Sequence, residues 1–108
     1  MFIKVKPLSV NDCWRGRRFK TQEYKAYEKE MHYLLPKMKV PKKYLGLEIT
    51  VGLSSKSSDL DNIIKPFIDI LQKKYEFNDK EIYRIIMDKE IVKKGEEYIE
   101  FNIYQISL

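Results

Sequence analysis

Between Leu45 and Leu53 the chain alternates without a break, with Leu45, Leu47, Ile49, Val51 and Leu53 on one side and Gly46, Glu48, Thr50 and Gly52 on the other. Successive side chains of extended backbone point to opposite faces, so this stretch is a strand with one face on a core. Gly46 and Gly52 leave room on the second face for a close backbone or helix. Beyond it the period changes. Ile63, Ile64, Phe67, Ile70 and Leu71 recur at three- and four-residue steps, the buried stripe of a helix that begins near Asp61. A half-buried strand feeding an amphipathic helix requires a sheet with helices on a face.

The junction between strand and helix carries the chemistry. Asp59 lies in a Ser-rich segment expected to be extended, and Asp61 opens the helix. Carboxylates two apart share one side of extended chain but stand about 200° apart on a helix, so only the junction lets this pair converge. Convergence suits Mg²⁺, which takes one or two carboxylates and completes its octahedron with water and substrate phosphate. Asp61, Lys65 and Asp69 follow at successive four-residue steps along one edge of the helix. The competing structural role of the two aspartates is an N-cap or surface charge, and that of Lys65 an ion pair with Asp61 or Asp69.

The remainder reads as a small α/β sheet. Met1 to Lys6 alternates as a first strand that Pro7 ends, and Thr21 is an N-cap for a helix to about Leu35, stopped by Pro36. Tyr24, Tyr27, Met31, Leu34 and Leu35 form its apolar face; His32 lies off it, as a surface residue. Pro66 cannot donate to Asn62 and bends the second helix mildly. Asn78-Asp79 makes a turn before a strand over Ile82 to Met87; Lys93-Lys94-Gly95-Glu96 reads as a hairpin turn, and Tyr98 to Ile106 as the last strand. The order is β-α-β-α-β-β, an α+β domain with a mixed sheet and both helices on one face. If the second helix packs back across the sheet, the carboxylate of Asp79 is expected near Asp59 and Asp61.

Charge and composition narrow the function. The chain has 108 residues and a formal charge of +5, from 21 basic and 16 acidic side chains, the balance of a single domain with a polyanionic partner. No apolar run reaches the length of a membrane span, and the N-terminus lacks a signal peptide's apolar region. One cysteine, Cys13, excludes an internal disulfide and a cysteine-built zinc site and points to the cytoplasm; one histidine excludes a His-rich site. Metal chemistry here is oxygen chemistry. Between Leu8 and Lys20 the chain has no clear period and is rich in arginine and aromatics. Arg15, Arg17, Arg18 and Lys20, with Lys56 and the Lys93-Lys94 turn, are candidates to grip phosphates. Trp14 and Phe19 either stack on bases or pin this loop to the core, and packing is the favoured role.

The run Asp59-Leu60-Asp61-Asn62 with Lys65, Asp69 and Leu71, followed by Asn78-Asp79 and an apolar strand, resembles the RusA family of Holliday junction resolvases. The spacing of Pro7, Ser9, Asn11 and Trp14-Arg15, then Arg17-Arg18 before a Tyr-containing helix, is similar to the start of that family. The resemblance spans most of the chain. It implies a RusA-like endonuclease domain over residues 1–108, acting with Mg²⁺ (Mn²⁺ able to substitute) as a homodimer on four-way or branched DNA, in bacterial or phage recombination and repair. By position, Asp59, Asp61 and Asp79 match the metal-binding catalytic aspartates and Lys65 the catalytic lysine. Asn62 and Asp69 match motif positions without an assigned role, Asn62 being placed among the nucleic-acid contacts. Many members carry two acids at the turn, and here the first is Asn78.

The alternative is a non-catalytic basic DNA-binding module whose aspartates are caps and ion pairs.

Overall fold

A computed structural model describes residues 1–108. The elements are β1 (Phe2–Ile3), β2 (Trp14–Arg15), β3 (Phe19–Lys20), α1 (Gln22–Leu34), β4 (Leu45–Leu53), α2 (Leu60–Tyr75), β5 (Ile82–Ile91) and β6 (Tyr98–Gln105). They form a four-stranded mixed sheet in the order β1-β6-β4-β5, a separate β2-β3 hairpin and two helices. This is the expected α+β domain.

The alternating strand is β4, with the bounds read from its pattern. Its odd-numbered apolar residues are all buried and pack with Ile99 and Phe101 of β6, Phe67, Ile70 and Leu71 of α2, and Tyr24, Tyr27 and Met31 of α1. The Phe67 and Phe101 rings meet edge to face at 5.4 Å. Truncating such a buried ring to alanine costs about 3–5 kcal/mol, so this contact joins helix to sheet firmly. Thr21 caps α1 as expected, its side-chain oxygen accepting from the Tyr24 N–H at 3.1 Å. No helix is long and apolar enough to cross a membrane.

Four expectations need correction. Only Phe2 and Ile3 pair as the first strand; Pro7 and the turn at Val10–Asp12 draw the chain off the sheet edge. The aperiodic Arg-rich segment contains the β2-β3 hairpin, too short for any alternation to register. The turn at 93–96 does form, with the Glu96 N–H on the Lys93 carbonyl at 2.9 Å, but it does not join neighbours. β5 runs parallel to β4, β6 antiparallel to it on the other side, and the turn carries the chain past the end of β4. Finally, neither a helix nor a backbone covers Gly46 and Gly52. The rings of Tyr104 and Tyr98 from β6 lie over them, where a Cβ would collide with ring carbons.

Candidate active site

β4 ends at Leu53, and Ser54–Ser58 carry the chain up from the sheet to the start of α2. Within this loop the Ser55 and Ser57 hydroxyls share a hydrogen bond of 2.8 Å. Lys89, on the helix-facing side of β5 opposite Val51, donates from Nζ to the carbonyls of Lys56 and Ser58, each at 3.0 Å. The residue before Asp59 is thereby tied down over β5.

Asp59 occupies the N-cap of α2 with extended backbone, φ −91° and ψ 132°, yet its side chain makes no capping hydrogen bond. Asp61 stands exposed in the first turn, and Lys65 is exposed one turn on. Ion pairs in the protein join only Lys20 and Lys73 to Glu28. Asp59 therefore does not cap, and Lys65 pairs with neither Asp61 nor Asp69. Capping and ion pairing are thus unfilled at these residues, and each stands as an exposed charge. Asn62, half-buried beside them, has a main-chain carbonyl that Pro66 cannot serve with an N–H.

A cleft of about 590 Å³ opens beside this junction, lined in part by Lys6, Asn11, Ser54, Ser55, Ser58 and Glu97. Glu97 is buried at its floor, its carboxylate accepting the Gly95 N–H at 2.7 Å. The exposed Lys56 lies in the loop itself. Lys93 and Lys94 are at the same end of the sheet, because the neighbouring Val92 N–H bonds the Leu53 carbonyl at 2.9 Å.

Asp79 lies elsewhere, which corrects the expectation that it joins Asp59 and Asp61 within one chain. Its N–H is held by the Gln72 side chain at 2.8 Å, and Gln72 is about 16 Å along the helix from Asp61 at 1.5 Å per residue. The sheet gives the same answer. Asp79 immediately precedes β5, whose first residue Ile82 pairs with Leu45 at the start of β4, while Asp59 follows Leu53 at its end. Parallel strands begin at the same end, so a crossover helix must return the length of the strand, here about 26 Å. Acids placed just after the first strand and just before the second are held apart on the order of 20 Å by that geometry.

Asp79 is linked to Asp69 instead, through Gln72. Gln72 bridges them, accepting from the Asp79 N–H and donating from Nε2 to Asp69 Oδ1 at 3.4 Å. Burial pushes the Asp69 carboxyl above its ordinary value; the Lys65 charge opposes this and the Asp79 charge adds to it.

No three His, Cys, Asp or Glu side chains converge as a metal cage within the chain. A three-carboxylate Mg²⁺ site from Asp59, Asp61 and Asp79 thus does not fit within the chain. Cys13 is no alternative ligand: it is buried, donates from Sγ to the Ser9 carbonyl at 3.4 Å, and burial pushes its pKa up to about 11.

The basic candidates divide. Arg15, Arg17 and Arg18 are exposed on the β2-β3 hairpin, which turns at Gly16 with φ +67°. Lys20 is not free, because its ammonium bonds both Glu28 carboxylate oxygens at 2.9 and 3.0 Å. Trp14 meets the buried Tyr24 edge to face at 5.6 Å but is itself 41% exposed, so only part of its ring packs on the core. Phe19 does the opposite: it is 72% exposed and remains open to stacking.

The sequence reading missed Lys89, whose only signal was a lysine at a core-facing position of an apolar strand. No protein-family model matches the chain, and a search of the curated proteins returns no match.

Proposed function

We propose that this chain is a Mg²⁺-dependent endonuclease of branched DNA, with the β4-α2 junction as its reactive end. The observation that carries this reading is that Asp59 sits at an N-cap without capping, while Asp61 and Lys65 stand one turn apart without an ion pair. Charged groups held on rigid elements with no structural partner are what a phosphodiester site requires, and the nearby lysines favour a polyanion. Asp59 and Asp61 would hold a Mg²⁺, which would supply a water of lowered pKa and positive charge beside the phosphate. The Lys65 ammonium, exposed one turn from Asp61, would offset charge that develops on the phosphoryl oxygens. Arg15, Arg17, Arg18 and Lys56 grip backbone phosphates, and Phe19 stacks on an unpaired base.

The remoteness of Asp79 favours a second reading, a DNA-binding module without catalysis. An Asp61→Asn variant assayed on a synthetic four-way junction separates the two. Catalysis predicts that nicking in Mg²⁺ disappears while binding in Ca²⁺ is retained. Nicking unchanged in the variant removes this site from the reaction, and no nicking by the wild type on junction, flap or duplex leaves the binding module. Comparison of the three substrates at equal salt defines the preferred branch.

A further inference from the structure

We infer that the uncovered face of the sheet is a docking surface for a basic amphipathic helix of another protein, with a cationic side chain of that helix entering a hollow between Glu48, Asp88 and Glu100. The inference does not rest on the nuclease reading, because this face is on the opposite side of the sheet from both helices.

On that face Thr50 of β4 lies between Glu100 of β6 and Asp88 of β5, and Glu48 stands one pleat along, diagonal to both acids. The Tyr98 and Tyr104 rings close the two ends, lying over Gly52 and Gly46. Between them is a hollow of about 320 Å³ with the three carboxylates around Thr50. Strands are about 4.8 Å apart, so the Glu100 and Asp88 backbones stand about 10 Å from each other. Like charges at such neighbouring positions repel. Nothing in the chain offsets them: the ion pairs involve only Glu28, and the Met1 amino group at the rim donates to the Phe101 carbonyl at 3.0 Å. Farther along β5 on the same face, Arg84 is matched by a fourth acid, Glu90. A chain of net charge +5 thus presents an acidic sheet face. That sign repels nucleic acid, and stacking two copies face to face sets acid on acid.

The form of the face selects the kind of cation. No three acids converge closely enough to hold a metal ion, whereas a guanidinium on its long stem presents five donors and can serve carboxylates that stand apart. Apolar surface frames the hollow. Phe2, 61% exposed and stacked on Tyr98 at 4.8 Å, stands on one side, and Ile86, 46% exposed, on the other. The space from β6 to β5 is about the diameter of a helix, and the nine residues of β4 give it a length of about 30 Å. A helix laid along β4 with arginine over the acids and leucine over Phe2 and Ile86 neutralises the charge and covers the apolar rim. Arginine and apolar anchors side by side are the usual centre of a protein interface.

The probe is a synthetic amphipathic helix of arginine and leucine, compared with the same peptide carrying glutamate for arginine, each titrated into the full chain and followed by amide NMR shifts. The arginine peptide is expected to move the amides of Glu48, Thr50, Asp88 and Glu100 saturably, and the glutamate peptide to move none. Combining Glu48→Gln, Asp88→Asn and Glu100→Gln should weaken binding by about tenfold or more. Glu30→Gln, Glu76→Gln and Glu96→Gln together make the same change in net charge on exposed acids elsewhere and should leave it intact. Phe2→Ala should weaken it several-fold with no change of charge. Shifts confined to the helices, equal weakening in the two triple variants, or full binding by Phe2→Ala overturns the proposal. Relieved of repulsion, the sheet variant should melt no lower than the wild type; a lower melting temperature makes the acids structural and overturns it too. Sedimentation covers the remaining occupant: wild-type self-association abolished by the sheet variant assigns the face to a second copy instead.

Discussion

The ammonium of Lys89 donates to the carbonyl of Ser58 at 3.0 Å, linking the edge strand to the residue that precedes Asp59. The same Nζ also holds the Lys56 carbonyl, so one side chain fixes two points of the loop between β4 and α2. A cation is an economical tie here. It satisfies two carbonyls of the loop that leads to Asp59.

Replacing Lys89 with methionine keeps the apolar stem and removes both bonds. Loss of nicking rate on the order of tenfold to a hundredfold is expected from a misplaced Asp59, with the melting temperature nearly unchanged and Mn²⁺ affinity reduced. Lys89→Arg recovers part of the affinity if placement is the cause. An equal loss of stability and rate would show Lys89 to be merely structural.

Asp59 and Asp61 contribute little to folding, because neither caps the helix nor joins an ion pair. Asp59→Asn and Asp61→Asn are predicted to alter stability by less than about 0.5 kcal/mol, the range of ordinary surface changes, while abolishing cleavage. Urea unfolding measures the first and a junction-nicking assay the second. A loss near 1 kcal/mol on replacing Asp59 with alanine would restore its capping role.

Glu28 is the acid that matters for stability. Burial pushes its carboxyl up, but hydrogen bonds from Lys20 and Lys73, with their charges, outweigh this and hold it below its ordinary value. A depressed folded pKa means that the stabilisation is full above the unfolded Glu value and is lost as pH falls through the folded one. Glu28→Gln is therefore expected to lower stability by about 1 kcal/mol at neutral pH, a gap that closes in strongly acidic solution. Paired denaturation curves across that range check it.

Arg15, Arg17 and Arg18 are exposed, whereas Lys20 is committed to Glu28. Alanine at any of the arginines should reduce the salt dependence of DNA binding by about one phosphate contact. Lys20→Ala should leave that slope intact and lower the melting temperature instead. A reduced slope in Lys20→Ala would return it to the DNA-binding surface.

What the sequence disclosed was periodic. β4 and the apolar faces of α1 and α2 repeat over two turns or more of structure, and Thr21, Pro36 and the turn at 93–96 follow local rules. The β2-β3 hairpin has two residues per strand, less than one period of alternation. Strand order was hidden because the turn at Gly95 is the same whether its strands are neighbours or are separated by β4. The D-x-D motif was legible as a local pattern; the position of Asp79 relative to it was not, because that depends on β4 and β5 being parallel. Once they are, its remoteness follows from the length of α2. Lys89 illustrates the converse: a charge that spoiled an apolar strand marked the place where the loop is anchored.

Pro66 leaves a gap in the hydrogen-bond ladder of α2 between the turn that bears Asp61 and Asn62 and the buried stretch from Phe67 onward. That turn is nonetheless anchored on both sides, by Ile63 in the core and by Lys89 on the loop before it, so the missing bond is a local weak point between two fixed segments. Pro66→Ala supplies the missing N–H to the Asn62 carbonyl and should slow deuterium exchange of the amides around Phe67: how readily the helix opens there is set by a single imino acid.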